Sequence, residues 1–246
     1  MAAMFHLPFT RCLLHIPKTG GTWLADILAH NGFGPSSWRI RQLPHAFPLS
    51  KIDARFGTST KFGFVCRDPV ERLHSAFDSR RNFSRPTREY PWHHGEPACF
   101  ARFETFDAFA SAFGAGGEAE AAAEAALRDV PHFRRGLAYY FGNPGRLEAA
   151  ASRVVFCATA RALTAALPAF ARAFRLPPLT IPPEARSHSS ATFRTPLGDA
   201  GRAALRERLA GEYRLFSVCE QLAAGLGTVD GPAAGPAPAS AATPAG

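Results

Sequence analysis

The chain has no apolar stretch long enough to span a bilayer, which excludes a helical membrane protein. Its start, Met1 to Thr10, lacks a basic region followed by an apolar one and does not read as a signal peptide. There is no CxxC pair. The five cysteines, Cys12, Cys66, Cys99, Cys157 and Cys219, are widely spaced and odd in number, so neither a zinc knuckle nor a disulfide framework is indicated. A reducing, cytoplasmic setting fits that usage best. Lysine is scarce: Lys18, Lys51 and Lys61 are the only three, and arginine carries the rest of the positive charge. No internal repeat and no cluster of metal ligands is visible. The pattern GxxxxGK[ST] is missing too, which counts against a magnesium-dependent kinase or ATPase.

What is present is a basic chain of 246 residues, with a formal net charge of +8. That length suits one domain with a sizeable core. The charge favours anionic partners, whether a phosphorylated small molecule, an acidic membrane surface or nucleic acid, and does not choose among them. Arginine suits bidentate phosphate recognition, although an arginine- and alanine-rich chain also follows from a GC-rich genome.

Two strand–loop–helix units stand out. The apolar run 12–16 (CLLHI) ends at Pro17 and leads into Gly20-Gly21 and a segment where Trp23/Leu24, Ile27 and Leu28 share a helical face. Phe62 to Cys66 reads as a buried strand ended by Arg67. Asp68, Pro69 and Glu71 then give a strong helix start: N-cap, first-turn proline and capping box. A third strand is expected over 153–157, followed by a helical run over 161–174 that is interrupted near Pro168. Helices are also expected over 118–128 and 199–224. Strands alternating with helices predict an α/β protein with a mainly parallel sheet. Residues 80–105, rich in Arg, Pro, Phe and His without a period, read as an irregular excursion or lid. The Pro/Ala/Gly-rich stretch 225–246 reads as a disordered tail to a domain over 1–224.

The first unit carries chemistry. In His15-Ile16-Pro17-Lys18-Thr19-Gly20-Gly21-Thr22-Trp23 a glycine-containing turn opens a helix, whose first N–H groups can converge on an anion. Lys18 adds charge, and Thr19 and Thr22 add hydroxyls. The competing reading is a plain strand–turn–helix corner with a solvated lysine. In the second unit Arg67 stands at a strand end, where ligands bind in open α/β sheets, and Ser75 lies two turns into the helix. Here the competing reading pairs Arg67 and Arg72 with Asp68 and Glu71.

HIPKTGGT closely resembles the 5′-phosphosulfate loop of sulfotransferases that use 3′-phosphoadenosine-5′-phosphosulfate (PAPS), in the branch holding carbohydrate (heparan-type) enzymes and bacterial relatives. The second segment, FVCRDPVERLHSAF, resembles the same family's 3′-phosphate motif, in the family's order. Residues 153–176, and Ser187-His188-Ser189 with Leu205 to Phe216, resemble it more loosely, and by that resemblance Ser187 to Arg194 would contact the 3′ side of the nucleotide. The resemblance implies a P-loop-like three-layer α/β fold, with a central mainly parallel sheet flanked by helices. It implies PAPS as donor, no metal, and a cofactor site of Lys18, Thr19, Gly20, Gly21, Thr22, Trp23, Arg67 and Ser75. It also implies sulfuryl transfer (EC 2.8.2.-) to an acceptor hydroxyl on a carbohydrate, with no nucleic-acid partner. Peripheral contact with a membrane stays compatible with it. In this reading Lys18 stabilises the leaving 5′-phosphate, and His45, in Leu43-Pro44-His45-Ala46-Phe47-Pro48, is the base. His15 is expected to pack under the loop. His93 and His94 are rival bases, with Tyr90 and Trp92 as candidate sugar-stacking rings. Two other function classes remain open: a P-loop small-molecule kinase and a non-enzymatic polyanion-binding module.

Overall fold

The computed structural model describes residues 11–35, 37–83, 92–183, 185 and 195–228. Tyr90, the segment from Ser187 to Arg194 and the tail from 229 onward lie outside them. The architecture is mixed α/β in three layers: a four-stranded sheet, parallel throughout, flanked by helices. Strands β1 (Cys12–Leu14), β2 (Arg41–Gln42), β3 (Phe62–Cys66) and β4 (Val154–Thr159) lie in the order β2-β1-β3-β4. The sequence placed three of them. The fourth, β2, is two residues at the sheet edge, too short to show alternation.

Side chains alternate across the sheet, as strand pleating demands. Cys12, Leu14, Phe62, Phe64, Cys66 and Cys157 face one layer. That layer holds α8 (Leu137–Phe141), α9 (Pro144–Ala149) and α12 (Ala210–Gly225). Leu13, Val65, Phe156 and Ala158 face the other, against α1 (Gly21–His30) and α10 (Leu167–Ala173). Gly63 lies at a register shift between β3 and β4. A Cβ there would come within 2.9 Å of Phe156 and Phe174, so no larger residue fits.

A third apolar cluster forms around Phe77 of α3 (Pro69–Asp78). It gathers Phe100 from α4 (Glu96–Arg102), Phe106 and Phe109 from α5 (Phe106–Ser111) and Phe133 from α7 (Pro131–Arg134). Within the stretch expected to be irregular, the chain therefore builds α4 and packs it. A single π turn, Ser79–Phe83, extends α3, and Arg80 on it forms a bidentate ion pair with Glu96 at 2.5 and 2.6 Å, with Glu96 fully buried. The period of such a segment is hidden because its helices are short and turn over several directions. The alanine-rich helix α6 (Gly117–Asp129) buries only Ala123 and Ala126, as its composition suggests.

Three boundaries differ from expectation. Residues 161–166 form turns, and α10 starts at Leu167 with Pro168 in its first turn, where a missing N–H costs nothing. The helical stretch 199–224 divides at Leu209 into α11 (Asp199–Arg208) and α12. α12 runs to Gly225, and the buried Thr228 donates to the carbonyl of Cys157. The packed chain thus extends past the expected start of the tail.

The start of α3 follows its sequence signal. The Asp68 carboxylate accepts from the Glu71 N–H at 3.0 Å and also from the Tyr213 hydroxyl of α12, at 3.0 and 3.1 Å. Asp68→Ala removes a cap and an interlayer bond together. We expect a loss of about 1–2 kcal/mol in urea unfolding, and Tyr213→Phe should remove only the smaller part.

Candidate active site

β1 and β3 are parallel neighbours, Leu14 opposite Phe64, so the loops at their carboxyl ends lie side by side. The first loop is held from within. Thr19 is buried and its hydroxyl donates to the Ile16 carbonyl at 2.9 Å. Lys18 (φ 66°) and Gly20 (φ 96°) both adopt left-handed backbone, routine for glycine and uncommon for lysine. Gly21 is required for a different reason: a Cβ there would lie 2.1 Å from the ring of His15. The imidazole of His15 is packed beneath the first turn of α1, as the sequence suggested. Thr22 is exposed on that turn, and Trp23 packs at the edge of the α1 core.

Arg67 leaves the end of β3 and donates from Nη1 to the carbonyl of Lys18 at 3.2 Å, while Nη2 lies 3.5 Å from Glu71. The two sequence motifs meet at this guanidinium. The pairing with Glu71 that the sequence left open is also formed. Ser75 is buried within α3, itself covered along most of its length, so it is not a solvated helix residue.

His45 lies across the loop. Its Nδ1 is 3.0 Å from the carbonyl oxygen of His15. A carbonyl only accepts, so Nδ1 carries the hydrogen and, in the neutral ring, Nε2 keeps its lone pair. The rings of His45 and His15 are 4.0 Å apart between centroids. A third ring, His132 of α7, stands 5.7 Å from His45, edge to face. The Tyr140 hydroxyl fixes the base of the group, donating to the carbonyls of His15, at 3.0 Å, and of His45. Arg72, 5 % exposed, holds α7 in place through its guanidinium, which donates to the carbonyls of His132 and Phe133 at 2.8 and 2.9 Å.

Charge here is one-sided. Burial, then Arg67 and Arg80, hold the Lys18 ammonium below its usual pKa. Burial and the neighbouring His45 lower His15 to about 4. Burial, His45, Arg80, Lys18 and Arg135 lower His132 to about 3. His45 is also lowered, chiefly by burial, with the bond to the His15 carbonyl working against it. Glu71 pairs with Arg67 and Glu96 with Arg80, but among the described residues neither Lys18 nor Arg135 has a carboxylate within 4.0 Å. Two buried donors or acceptors nearby, His132 Nδ1 and Arg135 Nε, have no hydrogen-bond partner among the described residues. A cluster of cations and imidazoles of this kind favours an anion with several acceptor oxygens.

Sequence reasoning missed His132, Arg135, Arg80 and Tyr140. The segment Pro131-His132-Phe133-Arg134-Arg135 did carry a signal, a proline-opened turn dense in basic side chains. The rival rings lie elsewhere. His93 and His94 are exposed, and Trp92 packs 5.5 Å from Phe100 at the edge of the phenylalanine cluster. Among the described residues no group of three or more metal-ligating side chains occurs, and no helix is long and apolar enough to cross a membrane. Comparison of the chain with protein-family models, curated proteins and solved structures returns no match.

The depressed histidines link pH to stability. Unfolded, His15 and His132 bind protons below about pH 6.5, whereas folded they stay neutral to about 4 and 3. Their contribution is therefore complete above pH 6.5 and is lost as pH falls through the window beneath it. The melting temperature should drop over that interval, and His132→Asn should flatten the drop. Gly21→Ala is expected to unfold the loop, read as loss of melting cooperativity or a fall of several degrees, because neither the His15 ring nor the helix backbone can retreat by the distance required.

Proposed function

We propose that the protein is a PAPS-dependent sulfotransferase acting on a hydroxyl, in the first instance one on a carbohydrate. The observation that carries this reading is the meeting of Lys18, Arg67 and His45 at the carboxyl edge of the sheet. It joins a left-handed cationic loop, a guanidinium from the next strand and an imidazole with its Nε2 lone pair available. The residues fit a donor with phosphate at two positions. The loop from Lys18 to Trp23 would hold the 5′-phosphosulfate end, and Arg67 with Ser75 the 3′-phosphate. The surplus of positive charge and the unpartnered His132 Nδ1 and Arg135 Nε would take up its oxygens.

The bound donor supplies an activated sulfuryl group. The chain's part is positioning and charge, as in phosphoryl transfer. His45 Nε2 accepts the proton of the acceptor hydroxyl as the new oxygen–sulfur bond forms. The old bond to the 5′-phosphate oxygen breaks, and the electron pair it leaves there is stabilised by the Lys18 ammonium. Burial keeps His45 neutral at physiological pH, the state a base requires. The His15 carbonyl fixes its ring and tautomer, and the Tyr140 hydroxyl holds its main-chain carbonyl.

A radiolabelled transfer assay from PAPS to a panel of glycans and cell-envelope extracts tests the activity. Adenosine 3′,5′-bisphosphate should raise the melting temperature and AMP much less. A P-loop kinase would instead respond to ATP with magnesium, and a polyanion-binding module to heparin alone. Lys18→Ala should abolish transfer and weaken nucleotide binding. His45→Ala should lower the rate by roughly 10²–10⁴-fold and leave nucleotide binding nearly intact. Calorimetry showing that His45→Ala also loses the nucleotide would remove His45 from the role of base.

A further inference from the structure

A second concentration of positive charge lies at the opposite end of the strands. Arg11 precedes β1, Arg41 opens β2, and the Arg41 N–H donates to the Arg11 carbonyl at 3.1 Å. Arg39 donates from Nη1 to the carbonyl of Arg175, at 3.2 Å. Arg41 and Arg55 flank the ring of Phe56 at 5.4 and 5.8 Å. None of these five arginines has a carboxylate within 4.0 Å among the described residues. Asp53, on the helix that carries Arg55, is already engaged by Arg146 and Arg153.

Beside them stands Trp38. It is 70 % exposed, where the other exposed large apolar side chain among the described residues, Leu226, reaches only 38 %. The Arg39 guanidinium lies over its ring at 4.8 Å. Arg175 is left-handed (φ 54°), and among the described residues Lys18 is the other non-glycine residue with positive φ. At such a helix end glycine is favoured, so an arginine there works against stability.

We propose that this arginine–tryptophan edge docks the protein on an anionic phospholipid surface. Guanidinium groups without acidic partners attract a negative headgroup layer, and an indole with a polar edge is suited to the water–lipid boundary. The stacked Arg39 covers one face of Trp38, which leaves the ring poorly placed to stack between sugars but free to enter headgroups with its cation. The inference is independent of the transfer chemistry, since the edge lies at the amino ends of strands whose carboxyl ends carry Lys18 and Arg67.

The test is flotation of the full chain with vesicles of phosphatidylcholine alone or mixed with phosphatidylglycerol. Binding to the mixed vesicles only is expected, with a blue shift in tryptophan emission that Trp38→Phe abolishes. Arg39→Gln and Arg41→Gln should each weaken partitioning about fivefold. Arg175→Gly should do the same while raising the melting temperature, a pair of opposite changes that a purely structural role would not produce. Equal binding to both vesicle types, undiminished binding by the arginine variants, or retention on heparin without flotation would each overturn the proposal. The last would assign the edge to a soluble polyanion instead.

Discussion

The bond from the Arg67 guanidinium to the carbonyl of Lys18 exists because two strands pair in parallel. Leu14 and Phe64 are opposed in register, so the chain leaves the sheet twice at neighbouring points. Each exit carries a cation, and nothing in the local sequence of either exit would bring them together. Were β1 and β3 separated by another strand, the two exits would lie roughly 10 Å apart, and the Arg67 guanidinium would lose its bond to the Lys18 carbonyl. The left-handed turn at Lys18 presents its carbonyl to Arg67, and Gly21 lets His15 pack under the helix start. The loop is thus shaped by contacts on three sides before any ligand arrives.

Those contacts gather more positive charge than the fold alone can neutralise. Arg67 and Arg80 are compensated by Glu71 and Glu96, the latter without solvent access. Among the described residues, Lys18 and Arg135 have no carboxylate partner. The imidazoles respond by staying neutral, since a proton on any of them would be placed among cations with little water to screen it. The same field that lowers His132 and His45 would bind a phosphate. A ligand of charge opposite to the cluster should therefore raise these groups toward ordinary values and take up protons as it binds. The role proposed for His45 as a base and the affinity proposed for an anion would both arise from this one distribution of charge.

Much of this was legible in the sequence where the signal is local. The HIPKTGGT loop, the cap at Asp68 and the burial of Phe62 to Cys66 each depend on residues within one turn or one strand of each other. The parallel sheet followed from alternation of elements. The histidine cluster did not. His45 and His132 belong to separate elements, and they meet because Arg72 clamps α7 from below while Tyr140 clamps the loop of His45. Both clamps act on main-chain carbonyls, which carry no residue-specific signal. The stripe of α3 that carries Phe77 was legible, but its partners were hidden, because Phe100, Phe106, Phe109 and Phe133 come from helices of 7, 6 and 4 residues, too short to show a period.

The two left-handed cations give the molecule a polarity that a net charge does not describe. Lys18 and Arg175 each take a backbone conformation that glycine adopts at lower cost, and they stand at opposite ends of the strands. At the carboxyl end the strain is supported by Arg67, Thr19 and the His15 ring, and the charge faces an enclosed cluster. At the amino end Arg175 is exposed, held by its carbonyl through Arg39, and the charge faces outward beside Trp38. Burial at one end fixes geometry, which would favour a small ligand with fixed oxygens. Exposure at the other gives charge without geometry, which suits a broad surface with mobile headgroups. A cation on a left-handed backbone thus occurs at both ends, and the surrounding burial decides which kind of anion each would suit.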